Sequence, residues 1–147
     1  MSDNDVQSQI ILSYDDTPKS LNAGGVGSRR HWGPAHKEKQ RWEGIWTMLL
    51  IHHKVPRGMS RVRIEAALEF ADNRRRDVEN YRPDLAKALG DALVKGGWLP
   101  DDTQEFFDLG MVRIISGVDL LPWPLNRASG HIKSRTTVTI EAEYAAT

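Results

Sequence analysis

Acidic side chains stand at both ends of one short segment, and arginines open it. The segment covers residues 74–102 and reads RRRDVENYRPDLAKALGDALVKGGWLPDD. Asp77 and Glu79 are two positions apart behind three arginines, and Asp101 and Asp102 close the segment. Carboxylate oxygens with no His or Cys among them favour a hard cation such as Mg²⁺ or Mn²⁺ over zinc. The residue types therefore predict a site that holds a divalent cation against a phosphate group.

The spacing of these acids predicts how the chain would present them. Side chains two apart on an extended segment point the same way, so we expect Asp77 and Glu79 to address one cation. Pro83 is suited to the first turn of a helix, which would bring the chain back and deliver an acid of the closing pair, Asp101 or Asp102, as a third ligand. Asn80 is expected either to cap this helix or to orient a ligand.

The rest of the chain alternates between strand and helix patterns. The predicted elements are a strand over 9–14, a helix over 34–53, a strand over 61–70, a helix from 83 to the glycines at 96–97, and strands over 105–116 and 134–144. The strand over 61–70 alternates apolar and charged residues, and the first helix carries an apolar stripe. This β-α-β-α-β-β order predicts a single α/β (α+β) domain with a mixed sheet packed by two helices. The polar residues 1–8 are expected to form a disordered tail, which leaves 9–147 as the domain.

Length, composition and charge exclude several classes. The 147 residues contain no cysteine, which excludes disulfides, thiolate zinc sites and a cysteine nucleophile. No apolar run is long enough for a membrane span, and the polar start is unlike a signal peptide, so we expect a cytoplasmic protein without a membrane partner.

The net charge is zero, but the basic residues are unevenly placed. Residues 28–63 hold nine Lys and Arg against two acids. Such a segment predicts a basic face, on which Arg29, Arg30 and Lys37 would contact DNA. The alternative is ordinary solvated surface.

Three motifs resemble those of the RusA family of Holliday-junction resolvases, found in phages and prophages. RRRDVEN, LAKALGDAL and WLPDDTQ are similar to that family's Asp-x-Asp-Asn, helix lysine and Asp-Asp pair. The resemblance covers roughly residues 74–104, and its second acid is Glu79 where the family usually has Asp. It implies the same mixed fold and a Mg²⁺-dependent endonuclease that resolves four-way DNA junctions. Two symmetric nicks in such a junction imply a twofold homodimer.

The resemblance also implies roles for individual residues. Asp102 would be the main ligand of the closing pair, with Asp101 as the alternative, and Lys87 would neutralise charge on the scissile phosphate. Arg76 matches a DNA-contacting arginine, and Arg74 and Arg75 are more general phosphate contacts.

Several alternatives stay open from the sequence. Lys87 can instead form a surface pair with Asp84, and the acids at 77 and 79 can simply pair with the neighbouring arginines. At the level of function, the alternatives are a nuclease for flaps or other branched DNA and a non-catalytic DNA-binding protein.

Overall fold

The computed structural model describes residues 5–20, 32–120 and 132–145. Its strands and helices are β1 Asp5–Tyr14, α1 Trp32–His52, β2 Met59–Phe70, α2 Arg82–Lys95, β3 Phe107–Ile115 and β4 Ser134–Ala145. A short 3-10 turn, Val78–Asn80, precedes α2. The order of these elements is the predicted one, and the prediction of an α+β domain with two helices and a mixed sheet is confirmed.

The four strands form one sheet in the order β1-β4-β2-β3. β2 and β3 are parallel, and α2 lies between them in the chain as a crossover helix. The other two pairings, β1 with β4 and β4 with β2, are antiparallel. Because α2 follows β2, the turn that begins α2 lies at the end of a central strand.

Both helices pack on one face of the sheet and leave the other face open. On β2 the buried residues Val62, Ile64 and Leu68 alternate with the exposed Arg61 and Arg63, as the sequence predicted. The predicted stripe of α1 is buried as well, and its members are Trp42, Ile45, Trp46 and Leu49. The apolar face of each helix therefore supplies the core, and the open face of the sheet carries the charges.

Ion pairs fix α1 against α2. The Lys39 ammonium lies 2.6 Å from the Asp91 carboxylate and 3.1 Å from that of Glu43, and Lys95 lies 2.9 Å from Glu43. The hydrogen bond that Lys39 donates to Asp91 is the main cause that raises the pKa of Lys39. Burial alone would raise the pKa of Glu43, but hydrogen bonds from Lys95 and Lys39 outweigh it and hold that pKa below its usual value.

The largest difference from the expected element boundaries is at the start of β1. β1 begins at Asp5 because its first residues pair with the end of β4, so part of the expected tail 1–8 is strand, and residues 1–4 lie outside the described residues. β3 has a bulge at Gly110 and Met111, where two residues face one residue of β2. Within the described ranges no helix is long and apolar enough to cross a membrane.

Candidate functional site

The segment that follows β2 is held by its neighbours in the fold. The Ala71 N–H donates to the Lys133 carbonyl at 2.9 Å, and the Gly117 N–H donates to the Asp72 carbonyl at 3.0 Å. Gly117 has a φ of +69°, and a Cβ there would stand 2.5 Å from the Asn73 side-chain oxygen. Only glycine combines this backbone with so close an approach. These contacts therefore fix, from two sides, the residues that lead into the turn of residues 77–80, called the acidic turn below.

The three consecutive arginines have different environments. The Arg76 guanidinium lies 3.6 Å from the centroid of the Phe70 ring and donates to Asp72 at 2.5 Å and to the Arg74 carbonyl at 3.1 Å. Its side chain is only 12% exposed, whereas that of Arg74 is 84% exposed and Arg75 is also exposed. The Arg76 hydrogen bond holds the pKa of the Asp72 carboxyl below its usual value. Arg76 therefore positions the turn, and Arg74 and Arg75 are the two that face solvent.

Asp77 caps the turn that contains Glu79. Asp77 has extended backbone angles, φ −100° and ψ 123°, and its carboxylate accepts the Glu79 N–H at 3.0 Å. The expectation that both acids lie on one extended segment is wrong, because the chain enters a 3-10 turn directly after Asp77. An Asp side chain that accepts a backbone N–H two residues on promotes such a turn. Both acids are exposed.

Asn80 does not cap α2. The residue at the N-cap is Tyr81, which makes no side-chain capping bond, so the capping role expected for Asn80 is wrong. Asn80 instead lines a depression together with Arg75, Arg76 and Asp77. Carboxylate, amide and guanidinium groups thus surround one polar surface hollow.

The second acidic pair lies against the middle of α2. A Cβ on Gly90 would be 3.3 Å from the Asp102 Cβ and 3.6 Å from its Oδ2, so the absence of a side chain at Gly90 leaves room for Asp102. The Asp101 carboxylate accepts the Asp102 N–H at 2.8 Å. Both acids are exposed. This contact indicates that Asp101 shapes the loop while Asp102 rests on the helix.

Lys87 lies on the exposed side of α2, one turn before Gly90. Asp84 is 3% exposed, so it does not form a solvated surface pair with this lysine. The burial of Asp84 argues against the alternative of a surface pair between Asp84 and Lys87. The predicted role of Lys87 toward phosphate stays a prediction.

The predicted carboxylates do not form one cluster. In the part of the chain that the structure describes, no group of three or more His, Asp or Glu is placed to hold a metal ion. Gly90 is eight residues into α2 from Arg82, about 12 Å at 1.5 Å per residue, which separates Asp102 from the turn at Asp77. Mg²⁺ usually keeps several waters and needs only one or two carboxylates beside substrate phosphates. Asp77 and Glu79 fit that smaller donor set, and their role as ligands stays a prediction.

In the described part of the basic segment, residues 32–63, the basic side chains do not share one face. Arg41 pairs with Asp16, and the Arg57 guanidinium lies 4.3 Å over the Trp98 ring. Arg61 and Arg63 lie on the open face of the sheet, in a hollow also lined by three acids: Asp108, Glu141 and Glu143.

Of the residues predicted in this segment to contact DNA, the structure describes only one. Lys37 is exposed on α1, while Arg29 and Arg30 lie outside the described residues. Their role toward DNA stays a prediction.

Sequence reasoning missed three residues that position the site: Asp72, Gly90 and Gly117. One of them left a signal, because a glycine inside a helix costs about 1 kcal/mol relative to alanine and so suggests a packing reason. Asp72 left none, since its partner Arg76 could not be told from the two arginines beside it.

A scan of the chain against protein-family models finds no match, and a search among curated proteins finds no significant relative. The likeness to the RusA family therefore depends on the residues of segment 74–104.

Proposed function

We propose that the protein is a Mg²⁺-dependent, structure-selective endodeoxyribonuclease that resolves four-way DNA junctions by paired symmetric nicks. It would act as a homodimer in the cytoplasm, in recombination and repair. One observation carries the proposal: exposed acids stand at the start of α2 and against its middle, and the exposed Lys87 lies on the helix between them. Acids for a cation beside the helix that carries an exposed ammonium for phosphate suit phosphodiester hydrolysis.

The acidic turn supplies the first donors for the cation. Asp77 keeps its place through its own capping bond to the Glu79 N–H, and the turn is tied to the sheet through Asp72 and Arg76. Mg²⁺, when bound, would polarise the phosphate and lower the pKa of a bound water. Asp102 would be the further donor, and Asp101 holds the loop that carries it.

The cationic side chains would bind the DNA backbone. Arg74 and Arg75 are exposed beside the hollow that Asp77 lines. Arg74 makes only an exposed ion pair with Asp72 at 3.7 Å, so each of the two can neutralise a phosphate at little cost to the fold. Lys87 would act on charge that grows in the transition state, and so on rate more than on affinity. The described structure assigns Arg76 to the turn itself, which leaves it less free to move to DNA.

Cleavage of three substrates of matched sequence tests the proposal: a four-way junction, a flap and a linear duplex, each with Mg²⁺, with Mn²⁺ and with a chelator. We expect metal-dependent nicks placed symmetrically in the junction. Asp77→Asn and Asp102→Asn should each abolish cleavage while junction binding persists, because only the ligand oxygen is replaced. Glu65→Gln on the open face of β2 is the matched control and should cleave normally. Full activity of both site variants would contradict the metal role.

A second candidate is a non-catalytic DNA-binding protein. The separation of about 12 Å between the start of α2 and the position of Asp102 favours it, since no complete carboxylate cluster forms within the described residues. Junction binding without cleavage in either metal would support this candidate. Preferential cleavage of the flap would instead assign the protein to other branched DNA.

A further inference from the structure

The two edges of the sheet differ in how they are protected. β1 and β3 are the outer strands in the order β1-β4-β2-β3. β1 pairs with β4 over all ten of its residues without a register break, and within the described strands it has a neighbour on that side only. Its other side therefore presents a row of backbone N–H and C=O groups that can pair with a further strand.

The edge at β3 is blocked. A bulge at Gly110 and Met111 interrupts its register with β2. The Arg82 guanidinium donates to the Gly110 carbonyl at 2.7 Å and to the Leu109 carbonyl at 3.0 Å. Bulges and charged groups at an edge are the usual means by which proteins prevent strand addition.

Within the part of the chain that the structure describes, the edge at β1 has none of these features. Its sequence, DVQSQIILSY, contains no Lys, Arg or Pro, and Asp5 is its only charged residue. Ile11, on the open face, is 57% exposed although it is apolar. A long, regular, nearly uncharged edge strand is a template for pairing, and its occurrence on one side only indicates an interface.

We propose that β1 pairs antiparallel with β1 of a second copy of this chain, so that the two sheets form one continuous sheet of eight strands. A strand edge paired with itself about a twofold axis is self-complementary, because the N–H groups that point outward from one copy meet the outward C=O groups of the other. No side-chain charge on the edge opposes this pairing apart from Asp5 at its outer end. The occupant that fits the edge is therefore an identical strand.

Symmetry restricts the register. An axis perpendicular to the sheet keeps the helices of both copies on the same side, so a residue of the open face must meet another residue of the open face. In β1 the exposed residues Gln9, Ile11 and Ser13 define that face. The numbers of two residues that pair across the axis must then add to an even number. One residue therefore pairs with the same residue of the second copy. We assign that place to Ile11, whose exposed side chain would be buried against its counterpart, with Gln9 opposite Ser13.

This assignment goes beyond the proposed nuclease activity, because it follows from the strand edge and from no catalytic residue. It would supply the second copy that symmetric nicks require. Cleavage and strand pairing are measured in separate experiments, so a negative result in one does not decide the other.

Single cysteines test the register, since the natural chain has none. Ile11→Cys should form a disulfide dimer on mild oxidation, because facing residues have Cα atoms about 4.5–5.5 Å apart. Gln9→Cys and Ser13→Cys should each fail alone, since equivalent positions would be about 14 Å apart, four residues at 3.4 Å each. A mixture of these two variants should cross-link. Self-linking at Gln9, or no product in the mixture, would overturn the register.

Light scattering after size exclusion tests the pairing itself on the full chain. The natural protein should be a dimer, and Ile11→Lys should raise the dimer dissociation constant about tenfold or more, because like charges would face each other across the axis. Met111→Lys is the matched control on the other edge, with a similar starting exposure of 63%, and should leave the dimer unchanged. A monomer at the concentrations used for cleavage, or equal loss in both variants, would overturn the proposal.

Discussion

Gly90→Ala separates the stability of α2 from the placement of Asp102. The new Cβ would stand 3.3 Å from the Asp102 Cβ, 3.6 Å from its Oδ2 and 3.9 Å from a ring carbon of Phe107. The first distance is closer than ordinary van der Waals contact, so one of the two groups must move by a few tenths of an ångström. Asp102 is exposed on a loop, whereas Gly90 is buried in a helix, so the loop is the part that yields.

The expected effects have opposite signs. Alanine in a helix interior is favoured over glycine by about 1 kcal/mol, and moving an exposed loop slightly takes back only part of this. We therefore expect unfolding to become less favourable by about 0.5 kcal/mol. If a 1 Å misplacement costs about 100-fold in rate, a shift of about 0.3 Å costs about fourfold. The variant should be more stable and cleave junctions more slowly.

Thermal unfolding and single-turnover cleavage measure the two effects, and Gly44→Ala in α1 is the matched control. A Cβ at Gly44 meets nothing within 4 Å, so this variant should gain close to the full 1 kcal/mol, roughly 3 °C in Tm, with unchanged cleavage. Combining Gly90→Ala with Asp102→Gly removes the contact, and the stability gain should then approach that of the control.

Two results would contradict the expected behaviour of Gly90→Ala. A lower Tm in Gly90→Ala than in the natural protein would mean that Asp102 cannot yield. A stabilised variant that cleaves at the natural rate would mean that the position of Asp102 is irrelevant to the chemistry.

Three further predictions concern other charged side chains. Lys87→Ala should lower single-turnover cleavage by about 10²–10³-fold with an unchanged Tm, because Lys87 is exposed and its expected action is on transition-state charge. Cleavage at the natural rate would mean that Lys87 is only a surface residue. Arg76→Ala should lower the free energy of unfolding, measured by chemical denaturation, by about 1–2 kcal/mol, because its contacts with the Phe70 ring and the Asp72 carboxylate are lost. Arg74→Ala should leave stability unchanged and flatten the slope of log K for DNA binding against log salt by about 0.9. The pKa of Glu43 is lowered in the folded state, so its stabilisation is present above its ordinary pKa of 4.5 and is lost as the pH falls through the lower folded value. Glu43→Gln should therefore be less stable than the natural protein near neutrality, and a stability difference that persists unchanged in acid would contradict this.

Periodicity made much of the fold predictable. Two patterns reflect burial directly: the alternation along β2 and the apolar stripe of α1, which is Trp42, Ile45, Trp46 and Leu49. Burial of apolar surface is the dominant favourable contribution to folding. The turn at Asp77 was not predictable from such patterns. Whether an Asp continues a strand or captures the N–H of a nearby residue depends on small local energies that leave no periodic signal.

Adjacent arginines show why the candidate site was harder to predict than the fold. Arg74, Arg75 and Arg76 are chemically identical, yet Arg76 stacks on Phe70 and the other two face solvent. The resemblance assigned DNA contact to Arg76 first, but its fold contacts exceed those of its neighbours. A long side chain contributes to structure wherever an aromatic ring and a carboxylate lie within its reach. For Arg76 these groups come from the end of β2 and the residues after it, several positions earlier in the chain. Exposure within the fold, more than position in a charge run, therefore decides which of these arginines is free for phosphate.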